Sequence, residues 1–358
     1  MIKKYLLELA TDKKQGAGSR MLKAVLFVLS VFYGAIIRGL ILWYRLIPCR
    51  LSCKVVSVGN ITLGGTGKTP LVEFIARYLK GQGSHVAIIT RGYKKPKTGS
   101  ALPRSSYASM GDEAAMLAHN LRDVSVIVDA DRVAGSLRAI REHKADTVIF
   151  DDGFQQWRIA KDLEIVVVDA AVFFGNRQMI PRGILREPLS SLQRADIFVL
   201  NNTQVIADTA ALHDWLARVN NRAMVVEAVA HPIGFYRIDN PDELLAPGIF
   251  KGKTVVLVSG IGNPDHFEKL IGTMGIQSAL SVRYQDHYRY SPRDWQLLCA
   301  RSKEKNIDTI ITTQKDAVRF LSLYQKNPLC ALYALRIELK IVKNEQRFLN
   351  RLLRLYSL

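Results

Sequence analysis

One stretch narrows the possible folds more than any other. Residues 54–58 form a short β-branched run leading into Gly59-Asn60-Ile61-Thr62-Leu63-Gly64-Gly65-Thr66-Gly67-Lys68-Thr69-Pro70. Apolar side chains then fall at Leu71, Val72, Ile75, Ala76 and Leu79, a helical period. Apolar strand, glycine loop, Lys-Thr and helix, in that order, is the arrangement of a phosphate-binding loop. Glycines let consecutive backbone N–H groups turn toward one oxyanion, and the helix N-terminus adds partial positive charge. In such a loop Gly64, Gly65, Thr66 and Gly67 form the cradle, Lys68 reaches the β- and γ-phosphates, and Thr69 ligates Mg²⁺. Thr62 stands where G-x4-G-K-T has its first glycine, and Gly64 and Gly65 offset that departure. A plain glycine-rich turn with a surface lysine is the alternative, and the strand–helix context disfavours it.

After residue 53 the pattern is one of short apolar runs separated by helix-length stretches. The runs are 54–58, 85–90, 124–128, 147–150, 164–168, 197–200 and 224–230; a second series is 254–259, 277–282, 309–312 and 332–337. Continuous apolar strands alternating with helices predict a parallel sheet covered on both faces, hence an α/β fold. Residues 231–253 carry three prolines and no helical period, so a domain junction is expected there. The expected division is a basic hydrophobic segment at 1–50, a P-loop domain at 51–230, a linker at 231–253 and a smaller α/β domain at 254–358. Two domains suit 358 residues. Four scattered cysteines give no disulfide framework and suggest a reducing compartment. Cys49 and Cys53 have no second Cys or His pair at zinc-ligand distance.

Charge divides the chain further. The formal net charge is +18. Residues 1–50 hold nine Lys/Arg (Lys3, Lys4, Lys13, Lys14, Arg20, Lys23, Arg38, Arg45, Arg50) against Glu8 and Asp12. Such an excess points to nucleic acid, an anionic membrane or a phosphorylated substrate. The same segment contains the longest apolar run, 21–37, continuing past Arg38 to Ile47. Lys23 and Arg38 bracket roughly 21 Å of uncharged helix, short of a ~30 Å hydrocarbon core unless the cations snorkel. A span and a buried domain-edge helix remain open. A cleaved signal peptide is disfavoured, because no small-x-small site follows. A helix in the interface, with Trp43 and Tyr44 at headgroup level, fits slightly better. Basic residues flank both ends, so charge does not orient it.

Polar clusters follow several strands. Residues 147–150 end in Asp151-Asp152, carboxylates suited to holding a metal, although a cap or Asx turn accounts for one of them equally well. Gly153-Phe154-Gln155-Gln156 adds a turn and amides. Arg91 in Thr90-Arg91-Gly92-Tyr93 and Arg132 after Asp129 and Asp131 are candidate phosphate contacts. Asp112 and Glu113 open a helix, where acids are favoured by the dipole alone. Asp112 is also a candidate base, since phosphoryl transfer to a hydroxyl needs a proton acceptor. Residues 181–188 form a bounded loop with Arg182 and Arg186, suited to an anion. Asp286-His287-Tyr288-Arg289-Tyr290 is the densest cluster of the second domain. Thr312-Thr313-Gln314-Lys315-Asp316 follows a strand as a substrate contact would.

Taken together, Val58-Gly59-Asn60-Ile61 with Gly64–Pro70, Arg91-Gly92-Tyr93, Gly111-Asp112-Glu113, Asp151-Asp152-Gly153-Phe154-Gln155, Gly183 with Leu185-Arg186-Glu187-Pro188, and Asp286-His287 resemble the tetraacyldisaccharide 4′-kinase family in content and order. The likeness runs from about Gly59 to Lys315, and the N-terminal apolar stretch matches too. Two positions depart: Arg177 stands where a second glycine is expected, and Gln314 where glutamate is common. The resemblance implies an α/β fold with a P-loop kinase core, its parallel sheet flanked by helices, plus a second smaller α/β domain and an N-terminal membrane-associated helix. It implies transfer of the γ-phosphate of ATP to the 4′-hydroxyl of a tetraacyldisaccharide 1-phosphate, with Mg²⁺, at the cytoplasmic face of a Gram-negative inner membrane. It assigns Asp112 as catalytic base, with His287 orienting it across an interdomain cleft, and Lys68 to the phosphate. Gly64, Gly65, Thr66, Gly67, Thr69, Arg91, Gln155 and Arg186 are expected at the nucleotide. Thr69, Asp151, Asp152 and Glu113 are expected on the metal side. The expected partners are the lipid disaccharide and an anionic membrane surface, with no nucleic acid. A membrane-recruited P-loop switch is the alternative. It leaves the Asp286–Tyr290 cluster without a use, and Asn201-Asn202-Thr203-Gln204 does not fit a guanine-reading motif. A nucleic-acid-binding ATPase ranks last, because no interleaved basic-aromatic stretch lies outside the apolar segment.

Overall fold

The computed structural model describes residues 12, 16–91, 110–326 and 329–356. Lys3, Lys4, Lys13 and Lys14, and Gly92 and Tyr93 of the cluster after Arg91, lie outside the described residues. By its contacts the chain divides into two units. One comprises Met1–Arg91, Asp123–Val229 and Leu339–Leu358; the other comprises Gly92–Arg122 and Ala230–Glu338.

The first unit begins with a long helix, α1 (Ala17–Leu46). It continues through β1 (Lys54–Gly59), α2 (Lys68–Gly81), β2 (Val86–Thr90), β3 (Ser125–Val128), α4 (Arg132–His143), β4 (Thr147–Asp151), β5 (Leu163–Asp169), β6 (Ile197–Asn201), α5 (Ala210–Val219) and the start of β7 (Met224–Arg237). Helix α3 (Asp112–Asn120) belongs to the other unit. The strand order is β7-β6-β5-β1-β4-β2-β3, all parallel. Strands β2, β4, β5 and β6 are buried along their whole length, as a sheet covered on both faces requires. Each fully buried Val, Ile or Leu contributes about 1.5–3 kcal/mol of transfer free energy, so these strands contribute strongly to the unit's stability. Strand β1 lies between β4 and β5, which puts the glycine loop at the carboxyl ends of central strands.

Helix α1 is not free of this unit. Ser30, Gly34, Ile37 and Ile41 form a buried stripe at three- and four-residue spacing, and Ser19 is buried near the start of the helix. Ile37 and Ile41 join a core cluster with Phe154, Phe174, Met179, Leu185 and Phe198. The opposite face leaves Val25, Val28, Phe32, Ile36, Trp43 and Leu46 exposed.

The second unit contains α3, the end of β7, β8 (Asn240–Leu245), β9 (Thr254–Ser259), α6 (Pro264–Thr273), β10 (Gln277–Arg283), α7 (Pro292–Glu304), β11 (Thr309–Thr313), α8 (Gln314–Lys326) and the start of β12 (Ala331–Lys343). Strands β10, β9, β11 and β12 are parallel neighbours. Ser291 and Asp294 cap α7 reciprocally. Helix α9 (Glu345–Leu353) returns to the first unit, where Phe348 meets Phe74 with ring centroids 6.2 Å apart.

The stretch 231–253 differs from the expected linker. Strand β7 runs on to Arg237 and turns into β8, with Arg237 opposite Asn240. Pro232 and Pro241 are strand residues here, a place proline takes where no ladder N–H is needed. The expected boundaries differ at two further points. Helix α3 packs on α8, about 200 residues away in sequence, and the C-terminal residues rejoin the first unit.

Candidate active site

The first polar constellation is built around the glycine loop. Gly67 precedes α2 with φ +83°, a left-handed conformation that favours glycine, and a Cβ there would strike Asn201 Nδ2. Asn201, at the end of β6, donates that Nδ2 to the Thr66 carbonyl at 3.0 Å and so fixes the loop's close. Gly64, at φ +113°, and Gly65 face open space where a Cβ would stand. Thr62 belongs to a short antiparallel bridge with Leu185, and the Leu63 N–H donates to the Ile184 carbonyl at 2.7 Å. That pairing holds the loop's entrance in extended backbone, which is why a β-branched residue serves where glycine was expected.

Lys68 Nζ lies 3.2 Å from Asn60 Oδ1 and 3.4 Å from Asp152 Oδ1. Arg186 clasps the same carboxylate with both Nη atoms at 2.9 Å and donates to the Asn60 carbonyl at 2.9 Å. Burial alone would raise the Asp152 carboxyl, but Lys68 and Arg186 outweigh it and hold it below the ordinary carboxylate range. Asp151 ends β4 and is buried; its carbonyl accepts from Arg132 Nη2 at 3.1 Å. Burial pulls the Arg132 guanidinium down to about 10. Thr69 lies in the first turn of α2, half-buried, and Arg91 is exposed at the end of β2.

A buried layer supports these groups. Glu187 is fully buried and accepts from Gln155 Nε2 at 2.9 Å, Trp157 Nε1 at 3.0 Å and Arg194 Nη2 at 2.9 Å. Gln155 Nε2 also donates to the Asn60 carbonyl at 3.0 Å. Arg194 stacks over the Phe154 ring, 4.1 Å from its centroid. Lys161 pairs with Glu164 at 2.9 Å, and Lys161 Nζ and Arg194 Nη2 both donate to the Phe154 carbonyl, at 3.4 and 3.3 Å. Burial lowers Lys161 and raises Glu164, which their mutual attraction opposes. This layer shapes the Asp151–Gln155 turn.

The second constellation lies wholly within the second unit. Asp112 and Glu113 open α3, and Lys315 and Arg319 stand one turn apart on α8. Arg319 Nε donates to Asp112 Oδ2 at 2.6 Å; its Nη1 donates to Asp316 at 2.8 Å and to the Gly260 carbonyl at 2.9 Å. His287 Nδ1 is 3.6 Å from Asp112 Oδ2 and 3.3 Å from Arg319 Nη2. His287 has φ +60°, a conformation that aims its ring from a tight turn. Lys315 Nζ donates to Glu113 at 2.7 Å and lies 3.5 Å from His287 Nε2. Asp316 is fully buried, accepting from the Gly260 N–H and the Tyr290 hydroxyl at 3.0 Å each and from Thr313 Oγ1 at 2.8 Å.

Within one unit, then, Lys68, Asp152, Gln155 and Arg186 converge with Asn60; within the other, Asp112 and His287 meet, and Glu113 pairs with Lys315. Asn60, Asn201, Arg194 and Arg319 were not anticipated from sequence. Arg319 was findable, being four residues after Lys315 on a helix; the Asn201 contact is tertiary. The two departures have local accounts. Arg177 adopts φ +60°, where glycine is favoured, and lies 5.4 Å over the Trp215 ring. Gln314 Nε2 donates to Asn120 Oδ1 at 3.4 Å, a bond a glutamate could not donate. Among the described residues no cluster of three or more His, Cys, Asp or Glu forms a metal cage. A magnesium site built from one or two carboxylates, a hydroxyl and substrate phosphates needs none.

Residues 22–357 match the family described as tetraacyldisaccharide-1-P 4′-kinase. A tetraacyldisaccharide 4′-kinase of Halothermothrix orenii is 35% identical over 344 residues, spanning 89% of this chain and 88% of its own. That of Geobacter sulfurreducens is 32% identical over 344 residues, spanning 93% and 94%. In three dimensions the chain is similar to LpxK from Aquifex aeolicus crystallised in complex with ATP. The TM-score is 0.72 at 27% identity, covering 94% of this chain and 100% of the other.

Proposed function

This chain belongs to the tetraacyldisaccharide 4′-kinase family, and from that premise we propose how its residues serve the transfer. The protein is an ATP-dependent kinase of lipid A synthesis acting on a lipid disaccharide, whose 4′-hydroxyl receives the γ-phosphate. The observation that carries the reading is Lys68 held between Asn60 and Asp152 at the mouth of the glycine loop.

The loop fits a nucleotide triphosphate. Gly64 and Gly65 leave room that side chains would fill, and Thr66 Oγ1 is buried with no hydrogen-bond partner. Loop N–H groups and the α2 N-terminus hold the phosphates, and Lys68 turns from Asp152 to their β,γ-oxygens. Thr69 with Asp151 and Asp152 offers the hard oxygen donors that suit Mg²⁺. Held there, Mg²⁺ would supply positive charge to offset the negative charge of the transferring phosphate. Arg186 keeps Asp152 in register, and Gln155 keeps the turn in place through Asn60 and Glu187. Asp112 accepts the proton of the 4′-hydroxyl as the phosphoryl group transfers, while Arg319 and His287 orient its carboxylate. Glu113, expected on the metal side, serves better as the partner that positions Lys315, and Arg91 suits a phosphate contact from the exposed end of β2.

Helix α1 is proposed to lie in the interface of an anionic membrane, on the cytoplasmic side where ATP is available. It is long and apolar enough to cross a bilayer. Its inward stripe, however, is buried against the folded unit from Ser30 to Ile41, which suits a helix lying lengthwise on the surface. No nucleic-acid partner is proposed.

The direct test supplies the detergent-solubilised full chain with ATP, Mg²⁺ and tetraacyldisaccharide 1-phosphate, and follows the lipid by mass spectrometry. A gain of one phosphate at the 4′ position is expected; an unmodified lipid alongside ATP hydrolysis would instead favour the switch.

A further inference from the structure

Two hydroxyls tie α1 to the segment that carries Arg186. Tyr33 Oη donates to the Arg186 carbonyl at 3.0 Å, and Ser30 Oγ accepts from the Arg182 N–H at 3.2 Å. Three residues apart, they share the inward face of the helix. Gly34 lets the helix approach closely: a Cβ there would stand 3.1 Å from Met179 Sδ. The tied segment is itself stitched to the glycine loop, the Arg186 N–H donating to the Ile61 carbonyl at 2.6 Å. Arg186 is therefore fixed at its N–H by the loop, at its carbonyl by Tyr33, and at its guanidinium by Asp152 and Asn60.

We propose that Tyr33 is a positioning residue for phosphate transfer. By setting the Arg186 peptide it aims the guanidinium at Asp152, and so sets the distance between that carboxylate and Lys68. The inference rests on the reading of the glycine loop as the ATP site. Its physical basis is directional. The Tyr33 ring fills space that phenylalanine would fill equally, whereas only its hydroxyl constrains the Arg186 carbonyl. Losing it frees the peptide to rotate, and a guanidinium several bonds away magnifies that rotation.

The experiment is a double-mutant cycle in the full-length, detergent-solubilised chain, read as the dissociation constant of ATP with Mg²⁺ by calorimetry. Tyr33→Phe is expected to weaken ATP binding about 3- to 10-fold, the scale of one hydrogen bond, with the melting temperature and the partition into vesicles unchanged. In an Arg186→Ala background the same substitution is expected to have no further effect, because its route to Lys68 is already cut. Unchanged ATP affinity in Tyr33→Phe, or a loss that simply adds to that of Arg186→Ala, overturns the proposal. Failure of the unsubstituted chain to bind ATP overturns instead the reading on which it rests.

Discussion

Arg319 approaches Asp112 more closely than His287 does: Nε to Oδ2 is 2.6 Å, against 3.6 Å from His287 Nδ1 to the same oxygen. The carboxylate is thus held by a nearly buried guanidinium that is itself locked onto Asp316 and the Gly260 carbonyl. A charge-assisted pair of this kind fixes the orientation of the carboxylate proposed as the base, and the imidazole lies beside it. Asp112→Asn should reduce kcat by about 10²- to 10⁴-fold, the usual share of a general base. KM should change little, since the base acts mainly in the transition state. Arg319→Lys cannot reach three acceptors at once and should give an intermediate loss. Steady-state kinetics at saturating ATP decide: an Asp112→Asn enzyme with undiminished kcat would remove Asp112 from the chemistry.

Asp152 gives a pH signature. Its folded-state carboxyl sits below the ordinary value of 3.8 because Lys68 and Arg186 outweigh the effect of burial. A depressed carboxylate stabilises the fold above its unfolded pKa, and that stabilisation disappears as pH falls through the folded pKa. The difference in melting temperature between the natural chain and Asp152→Asn should therefore be constant above about pH 5 and close as the pH drops below 4. Differential scanning fluorimetry across this range tests it. A difference that persists undiminished at pH 2 would mean that the two cations do not stabilise the carboxylate.

Glu187, part of the Leu185–Pro188 motif, accepts from Gln155, Trp157 and Arg194. Its contribution is to stability and to the shape of the turn at Asp151–Gln155. Glu187→Gln leaves the Arg194 guanidinium without its closest anion in a buried setting, a change that costs about 3–5 kcal/mol in comparable pairs. Chemical denaturation should show that loss. Stability within experimental error of the natural chain would place the charge of Glu187 elsewhere in the account.

The parts of this molecule legible in sequence are those whose cause is local. Strand β1, the glycine loop and α2 announce themselves through a change of period and a fixed glycine spacing. The run ending in Asp151-Asp152 does so through strand length alone. Strand β7 runs past the apolar stretch 224–230 into 231–253, whose three prolines and missing helical period read locally as a junction. Its continuation depends on the hairpin with β8, which the local pattern does not encode. Asn201 at the glycine loop and Arg319 at Asp112 are tertiary partners 134 and 207 residues away from Gly67 and Asp112 along the chain. Spacing can nominate the helix face that bears Arg319, but only the packing of α3 on α8 selects its acceptor.

The exposed face of α1 supplies the last prediction. Val25, Val28, Phe32 and Ile36 stand out from the folded unit, with Phe32 66% and Ile36 62% exposed. Their substitution spares the buried residues of the helix, and so separates membrane binding from folding. Apolar insertion and the attraction of cations to anionic lipid, about 1 kcal/mol per Lys or Arg near the surface, should act together. Phe32→Asp with Ile36→Asp removes insertion and adds repulsion. Sedimentation with vesicles containing phosphatidylglycerol should show binding of the natural chain that weakens with salt, and a fall of at least tenfold for the double variant. Its melting temperature should be unchanged, because the buried stripe of Ser30, Ile37 and Ile41 is untouched. Equal partition of the two proteins would mean that this face meets something other than lipid.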